Sequence, residues 1–378
     1  MKKILIVAMA DSVHTARWIR QFDSDEIEFV LFPSTPHRRI HGLIGEHSQV
    51  KRISSLRISR FMTIGALPLG VLDLLFKNFF RSKLLAREIK TFQPDIIHIM
   101  ETQHSGYLAN KALKISQTNS KIILSIWGSD LFWFQKFKRH RSKISSVLKM
   151  VDLLVMECNR DRETALGLGF GGTFSVNMPA TGGLNTGLLR ERALEQPTVT
   201  RKLIAVKGYS GFVGLGTEAL KVIELVESEL NEFSVMVYSA GLRTLWQSRG
   251  LRKSMGERIQ VVRKHKLSNL EIEEMFLKSR VSLGLSLSDG LPATVKEAMS
   301  TGAIPIQTST SCAGEWFADG IGGHLVNEVD LQGVADALLI ALRDNSFAHA
   351  ASEINYQIAE QRFSEAKVRE QSRSLYFL

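Results

Sequence analysis

SDGLPATVKEAM, residues 288–299, places two acids, Asp289 and Glu297, on either side of a Gly-Leu-Pro turn that opens a helix. The preceding RVSLGLSLS is short and apolar-rich, as a buried strand is, and the following STGAIPIQTSTS reads as a turn and a second buried strand. Strand, turn, helix and strand make one parallel βαβ unit. In such sheets ligands sit beyond the carboxyl ends of the strands, where this turn falls. A helix N-terminus offers free N–H groups and positive potential, which suit an anionic or polyhydroxylated ligand. Glu297 lies about two helical turns beyond Asp289, so the two acids can hold different parts of one extended molecule.

The same alternation runs outward through the chain. Lys3–Ala8, EIEFVLFPS, PDIIHIM, SKIILSIWGSD and VDLLVMECN read as strands, with Val13–Phe22 as the helix behind the first. The polar, Pro-containing ERALEQPTVTRK then reads as an interdomain linker. Beyond it the pattern restarts with KLIAVKGY, EFSVMVYSA, RIQVVRKHK, RVSLGLSLS and AIPIQTS. The expected fold class is therefore α/β, with two Rossmann-like, doubly wound parallel domains. The last segment, from SFAHAASEIN to the C-terminus, reads as helical. No G-x-G-x-x-G occurs, so neither a dinucleotide binder nor an oxidoreductase is expected.

A chain of 378 residues with 44% hydrophobic and 23% charged residues is globular and has core enough for two domains. Cys158 and Cys312 are too few for a disulfide framework, which points to a reducing cytoplasm. Met1-Lys2-Lys3 leads straight into ILIVAMA, too short for a signal peptide and better read as a buried first strand. The net charge of +10 is not matched by any nucleic-acid module, and nucleic acid is excluded as a partner. Basic residues instead crowd around apolar sequence in 51–90, where Arg57, Arg60, Lys77 and Arg81 flank the run Phe61–Phe76. That run is too short and too interrupted by Gly and Pro to span a bilayer. Two readings stand: a helix lying on an anionic membrane surface, or a core helix with a solvated basic face.

Asp289-Gly290-Leu291-Pro292, four residues, Glu297-Ala298-Met299 and then Gly302-Ala303-Ile304-Pro305-Ile306 resemble the donor-sugar motif of retaining glycosyltransferases, most closely family four. The resemblance implies the GT-B fold, in which two Rossmann-like domains face each other across a deep cleft. Residues 1–192 would form the acceptor-side domain and 200–355 the nucleotide-sugar-binding domain, with a C-terminal helix, 356–378, crossing back to the first. It also implies that Asp289 contacts hydroxyls of the donor hexose and that Glu297 holds the ribose. The family's first acid is usually Glu; Asp289 keeps the carboxylate with a reach shorter by one C–C bond.

KLIAVKGYSGFVGLGTEAL has a Lys after a buried strand, a Gly-rich loop and a helix, a plausible diphosphate cradle opened by Lys207 and Gly208. The family supplies a second cation past such a loop, and Gly214–Thr217 carry none. Either Arg243 or Lys264 reaches in, or the donor carries less phosphate charge, as a CMP-linked sugar does. Thr308–Gly323 resembles the family's small-residue turn near the nucleotide, followed by an acid, here Glu315.

In the N-terminal half, Asp11 and Ser12 can cap the first helix, and His14 is placed at the end of the first strand, where the resemblance implies contact with donor or acceptor. In SIWGSDL, Trp127 stands where many family members carry histidine, followed by Gly128, Ser129 and Asp130. Trp cannot accept a proton but can stack on a sugar face. Asp130 either acts on cleft groups and acceptor or caps the following helix. His98, Glu101 and His104 in HIMETQHSG are placed at another strand end, lining the same cleft.

The resemblance implies a hexosyltransferase that moves sugar from a nucleotide-sugar to a glycan or lipid-linked acceptor with retention, in bacterial surface polysaccharide or glycoconjugate synthesis. The nucleotide-sugar is a substrate, so no cofactor is expected. No metal-ligand cluster and no hydrolase carboxylate pair are read. The expected location is the cytoplasm, at the inner face of the membrane. The alternatives are a nucleotide-sugar epimerase of the same fold and a non-catalytic scaffold that kept it.

Overall fold

The computed structural model describes residues 1–22, 26–35, 40–45, 50–53 and 79–377. They divide into two compact units, Met1–Gly183 with Val368–Leu378, and Leu184–Lys367. Each is built on one wholly parallel sheet with helices on both faces.

The strands of the first unit are β1 (Lys2–Ala8), β2 (Ile27–Pro33), β3 (Val50–Ile53), β4 (Ile96–Met100), β5 (Lys121–Ser125), β6 (Leu153–Val155) and β7 (Thr173–Phe174), in the order β3-β2-β1-β4-β5-β6-β7. The near-continuous apolar runs follow from burial on both faces. Leu5, Val7, Ile97 and Ile99 pack on one side with Leu85, Leu108 and Val147. Ile4, Ile6 and Ala8 pack on the other with Trp18, Ile19 and Tyr376. Tyr376 comes from the helix Glu365–Phe377. Its hydroxyl accepts from Trp18 Nε1 at 2.9 Å and bonds His98 Nδ1 at 2.6 Å, while His98 Nε2 meets Ser125 Oγ at 2.7 Å.

The second unit has β8 (Leu203–Lys207), β9 (Ser234–Ala240), β10 (Ile259–Arg263), β11 (Ser279–Gly284), β12 (Ile304–Thr308) and β13 (His324–Val326), in the order β10-β9-β8-β11-β12-β13. Two buried guanidinium groups close its amino-terminal edge. Arg201, wholly buried, donates to the carbonyls of Gln196, Ser279, Thr301 and Ala193 at 2.7, 3.1, 2.8 and 3.0 Å. Arg280 donates to the carbonyls of Ala341 and Val199 at 2.9 and 2.8 Å and to Asn345 Oδ1 at 2.9 Å. These are neutral acceptors throughout, backbone carbonyls for Arg201 and two carbonyls with the Asn345 amide oxygen for Arg280, which suits the fan of guanidinium donors.

The division of the chain falls after Gly183, ahead of ERALEQPTVTRK, whose first residues end the helix Thr186–Leu194 of the second unit. The C-terminal segment is two helices, Asn345–Phe363 and Glu365–Phe377, rather than one. The break is at Ser364, where Leu184 donates to Phe363 O and accepts from Glu365 N, both at 2.8 Å. Of the basic, apolar stretch 51–90, only 51–53 and 79–90 lie within the described residues, the latter in the helix Phe79–Phe92. Among the described residues no helix is long and apolar enough to cross a membrane.

Replacing Arg201 by Met should lower the stability of the second unit by ~3 kcal/mol or more, read by urea unfolding, because several buried carbonyls lose their donor. His98 gives a pH signature. Burial pushes it down from 6.5 to about 3, so below pH 6.5 the unfolded chain binds a proton that the folded chain refuses. Stability should be fully present above pH 6.5 and fall by about 1.4 kcal/mol per pH unit as pH drops toward 3. His98→Gln should flatten that slope between pH 7 and 5.

Candidate functional site

Functional candidates gather at the carboxyl edge of each sheet. In the second unit Lys207 ends β8, and its Nζ lies 3.4 Å from Asp289 Oδ2 in the turn after β11. Both side chains keep partial exposure, 22% and 25%, so the pair is open to a ligand. Asp289 Oδ1 accepts from Gly290 N at 3.0 Å, and Leu291 and Pro292 complete the turn. The helix Ala293–Ser300 starts at Pro292 with no side-chain cap, leaving its first N–H groups without the usual acceptor. Glu297 stands on this helix, partly exposed. Nearby Tyr238 is 4% exposed, and its hydroxyl has no hydrogen-bond partner among the described residues. Burial, and then the charge of Glu297, raise the Tyr238 phenol well above its ordinary value.

The Gly-rich loop is held close to the backbone beside it. Gly208 donates to Tyr238 O at 2.8 Å, and Gly208 O accepts from Gly241 N at 3.1 Å and Thr244 Oγ1 at 2.8 Å. A Cβ on Gly208 would lie 2.7 Å from Val237 Cγ1, and one on Gly216 2.5 Å from the Gly208 carbonyl carbon. Only glycine fits at these two contacts. Of the cations named as substitutes, Lys264 lies 5.4 Å from the centre of the Tyr209 ring. Arg243 lines a cavity of about 400 Å³ with Thr217 and Glu218, at the start of the helix Gly216–Leu225. The loop after β12 is tied to the donor-type turn by Cys312 N, which donates to Gly290 O at 3.1 Å. Glu315, partly exposed, lies in the short helix Cys312–Glu315.

In the first unit, Ser12 caps the helix Val13–Arg20, accepting from His14 N at 3.2 Å. The His14 and Trp127 rings meet edge-on at 5.3 Å, so the ends of β1 and β5 bring these two candidates together. The Trp127 Nε1 donor has no partner among the described residues. Gly128, at φ 85°, makes the turn into the helix Ser129–Phe132.

Asp130 and Glu101 prove to be loop clamps. Asp130 Oδ2 accepts from Thr102 N and Oγ1, both at 2.9 Å, and Oδ1 accepts from Trp127 N at 2.8 Å. Glu101 accepts from Gln103, His104 and Ser105 N at 2.9, 2.6 and 2.7 Å. Burial, then the neighbouring Asp130, push Glu101 up to about 8 against those three N–H groups. Burial likewise raises Asp130, against its own donors. His98 is a core residue, fully buried between Tyr376 and Ser125, and lines no surface. The strand's two-residue period turns it inward from the middle of β4. His104 is exposed.

Sequence reading passed over His41 and Ser34. Ser34 N donates to Ala8 O at 2.7 Å and His41 N to Ala10 O at 2.9 Å, which sets both at the end of β1. Ser34 Oγ and His41 Nδ1 are buried atoms without a partner among the described residues. Neither sits in a motif, so no sequence signal marked them. A cavity of about 790 Å³, lined by Lys2, Lys90, Asp95 and 116–121, opens at the opposite, amino-terminal edge of the sheet. There Asp95 accepts from Lys3 N at 2.8 Å, so its acid serves the fold.

Residues 3–157 are similar to the protein family described as Glycosyl transferase 4-like. No curated protein matches the chain by sequence. Among solved structures, the chain is similar to Anabaena HepE in complex with UDP and glucose, at 12% identity over all of both chains and a TM-score of 0.71. It is similar to an α,α-trehalose-phosphate synthase (UDP-forming) from Burkholderia vietnamiensis, at 14% identity over 99% and 96% of the two chains, with a TM-score of 0.71. The lipopolysaccharide outer core galactosyltransferase WaaB in its apo form shares 14% identity over 99% of each chain, with a TM-score of 0.65. These likenesses show the fold, an α/β architecture of two parallel-sheet units shared with GT-B proteins.

The two kinds of carboxylate should separate on substitution. Asp130→Ala strands buried donors and should cost ~2 kcal/mol or more. Asp289→Ala breaks a partly exposed pair and should cost under ~1 kcal/mol. Urea unfolding of both variants checks the contrast.

Proposed function

We propose that this protein is a glycosyltransferase that moves a hexosyl group from a nucleotide-sugar to a glycan or lipid-linked acceptor, with retention. The observation that carries the proposal is the Lys207–Asp289 pair beside an uncapped helix N-terminus, with Glu297 further along that helix. The likeness of residues 3–157 to a glycosyltransferase family supports it.

Transfer breaks the bond between the anomeric carbon and a phosphate oxygen and forms one to an acceptor hydroxyl, whose proton leaves to the phosphate. The leaving diphosphate gains negative charge, which Lys207 and the free N–H groups of the helices would stabilise. A partly exposed ion pair at 3.4 Å is weak, so a diphosphate can draw Lys207 away and release Asp289 to sugar hydroxyls. Glu297 would take the ribose, with the Tyr238 hydroxyl close by. Arg243 and Lys264 are the available second cations. On the first unit, His14 and Trp127 are the candidates for the acceptor. HepE was solved with UDP and glucose, and the synthase is UDP-forming, which favours a uridine nucleotide. The likeness to WaaB favours a surface glycan as acceptor, in family-four polysaccharide synthesis.

The test is a thermal-shift panel of UDP, GDP, ADP and CMP with their sugar conjugates. A nucleotide at a hundredfold excess over its Kd should add about 2.7 kcal/mol to stability. One nucleotide class should raise the melting temperature, and Glu297→Ala should abolish the rise. Silence from every member would favour a fold retained without turnover.

A further inference from the structure

Three neighbouring helices, Phe79–Phe92, Tyr107–Ser116 and Lys138–Leu148, cover one face of the first sheet through Leu85, Ile89, Leu108, Ala112, Ile144 and Val147. Their sequences, FFRSKLLAREIKTF, YLANKALKIS and KRHRSKISSVL, contain a single acid, Glu88, among many Lys and Arg. The third helix begins with Lys138, Arg139 and Arg141, all exposed, behind Phe137, which provides no side-chain cap. Cations at a helix N-terminus are repelled by the helix dipole. No described carboxylate pairs with these three to offset the repulsion. Desolvation first, then Lys143 and Arg139, push His140 down; desolvation, then Arg81, do the same to His104. The face therefore carries a concentrated positive potential. Large apolar side chains stand exposed on it, Phe79 at 46%, Leu84 at 44%, Ile115 at 43% and Phe137 at 44%.

We propose that this outer helical face docks onto an anionic lipid bilayer, its cations on headgroup phosphates and Phe137 and Leu84 at the acyl boundary. Cations alone would equally suit a nucleic acid. Exposed aliphatic and aromatic side chains between them gain only where an apolar phase lies behind the phosphates. The surface belongs to the first unit, whereas the Lys207–Asp289 pair belongs to the second, and the proposal does not depend on the activity proposed above.

The experiment is co-sedimentation of the full chain with vesicles of phosphatidylglycerol and phosphatidylcholine, against phosphatidylcholine alone, at about 0.1 M salt. Binding should require the anionic lipid and weaken as salt rises. Each cation neutralised should weaken it about fivefold, so Lys138→Gln/Arg141→Gln should lose about 25-fold and Lys138→Glu/Arg139→Glu/Arg141→Glu more. The melting temperature of the triple variant should hold or rise, because acids suit that helix end. Phe137→Ala should weaken binding several-fold while the chain stays folded, with the melting temperature read alongside because the ring packs on Trp133, Phe134 and His140. Equal binding to neutral vesicles, undiminished binding by the charge variants or by Phe137→Ala, or displacement from vesicles by a double-stranded oligonucleotide would overturn the proposal.

Discussion

Strand direction governs this molecule. Both sheets are wholly parallel, so every connection that can vary without disturbing the ladder emerges at one edge, the carboxyl edge. The opposite edge receives the returning chain and must be closed. In the second unit Arg201 and Arg280 close it with buried donors matched to carbonyls. At the carboxyl edge the charged groups are instead left partly exposed, as in the Lys207–Asp289 pair. In the second unit one edge commits its charged groups to the fold, while the other leaves an ion pair partly exposed.

The acids at strand ends illustrate the same division. Glu101 and Asp130 have their oxygens filled by backbone and hydroxyl donors, and they fix the loops after β4 and β5. Glu101 does so from a strained backbone, φ 70°, a conformation that costs a non-glycine residue on the order of 1–3 kcal/mol. Three N–H groups converging on one carboxylate hold it there. Asp289 sits past another strand end, accepts from the N–H of its neighbour Gly290, and pairs with a lysine on another strand while keeping partial exposure. In sequence these acids look alike, each a carboxylate just past an apolar run. Only burial and the convergence of N–H groups mark Glu101 and Asp130 as clamps.

The alternating apolar runs made the fold class legible, because strands buried on both faces are hard to disguise. Val50–Ile53, Thr173–Phe174 and His324–Val326 escaped because they are edge strands of two to four residues, too short to show a period. SDGLPATVKEAM was legible for a local reason: its turn, helix start and both acids lie within twelve residues. His98 was misplaced because its partner Tyr376 lies 278 residues away, and no local pattern announces such a contact. Ser34 and His41 were missed because a loop without glycine punctuation or a motif gives no sign of where it folds back.

The charge surplus was the least legible feature, and the structure divides it. The donor-type edge presents Lys207 in a pair with Asp289, with Arg243 and Lys264 nearby. These few cations cannot account for a net +10. The excess instead lies on the helices over one face of the first sheet, where Glu88 is the single acid. A soluble fold gains nothing from concentrating like charge, since self-repulsion opposes compactness. That it is interleaved with exposed Phe and Leu separates this demand for positive charge from the chemistry of the Lys207–Asp289 pair.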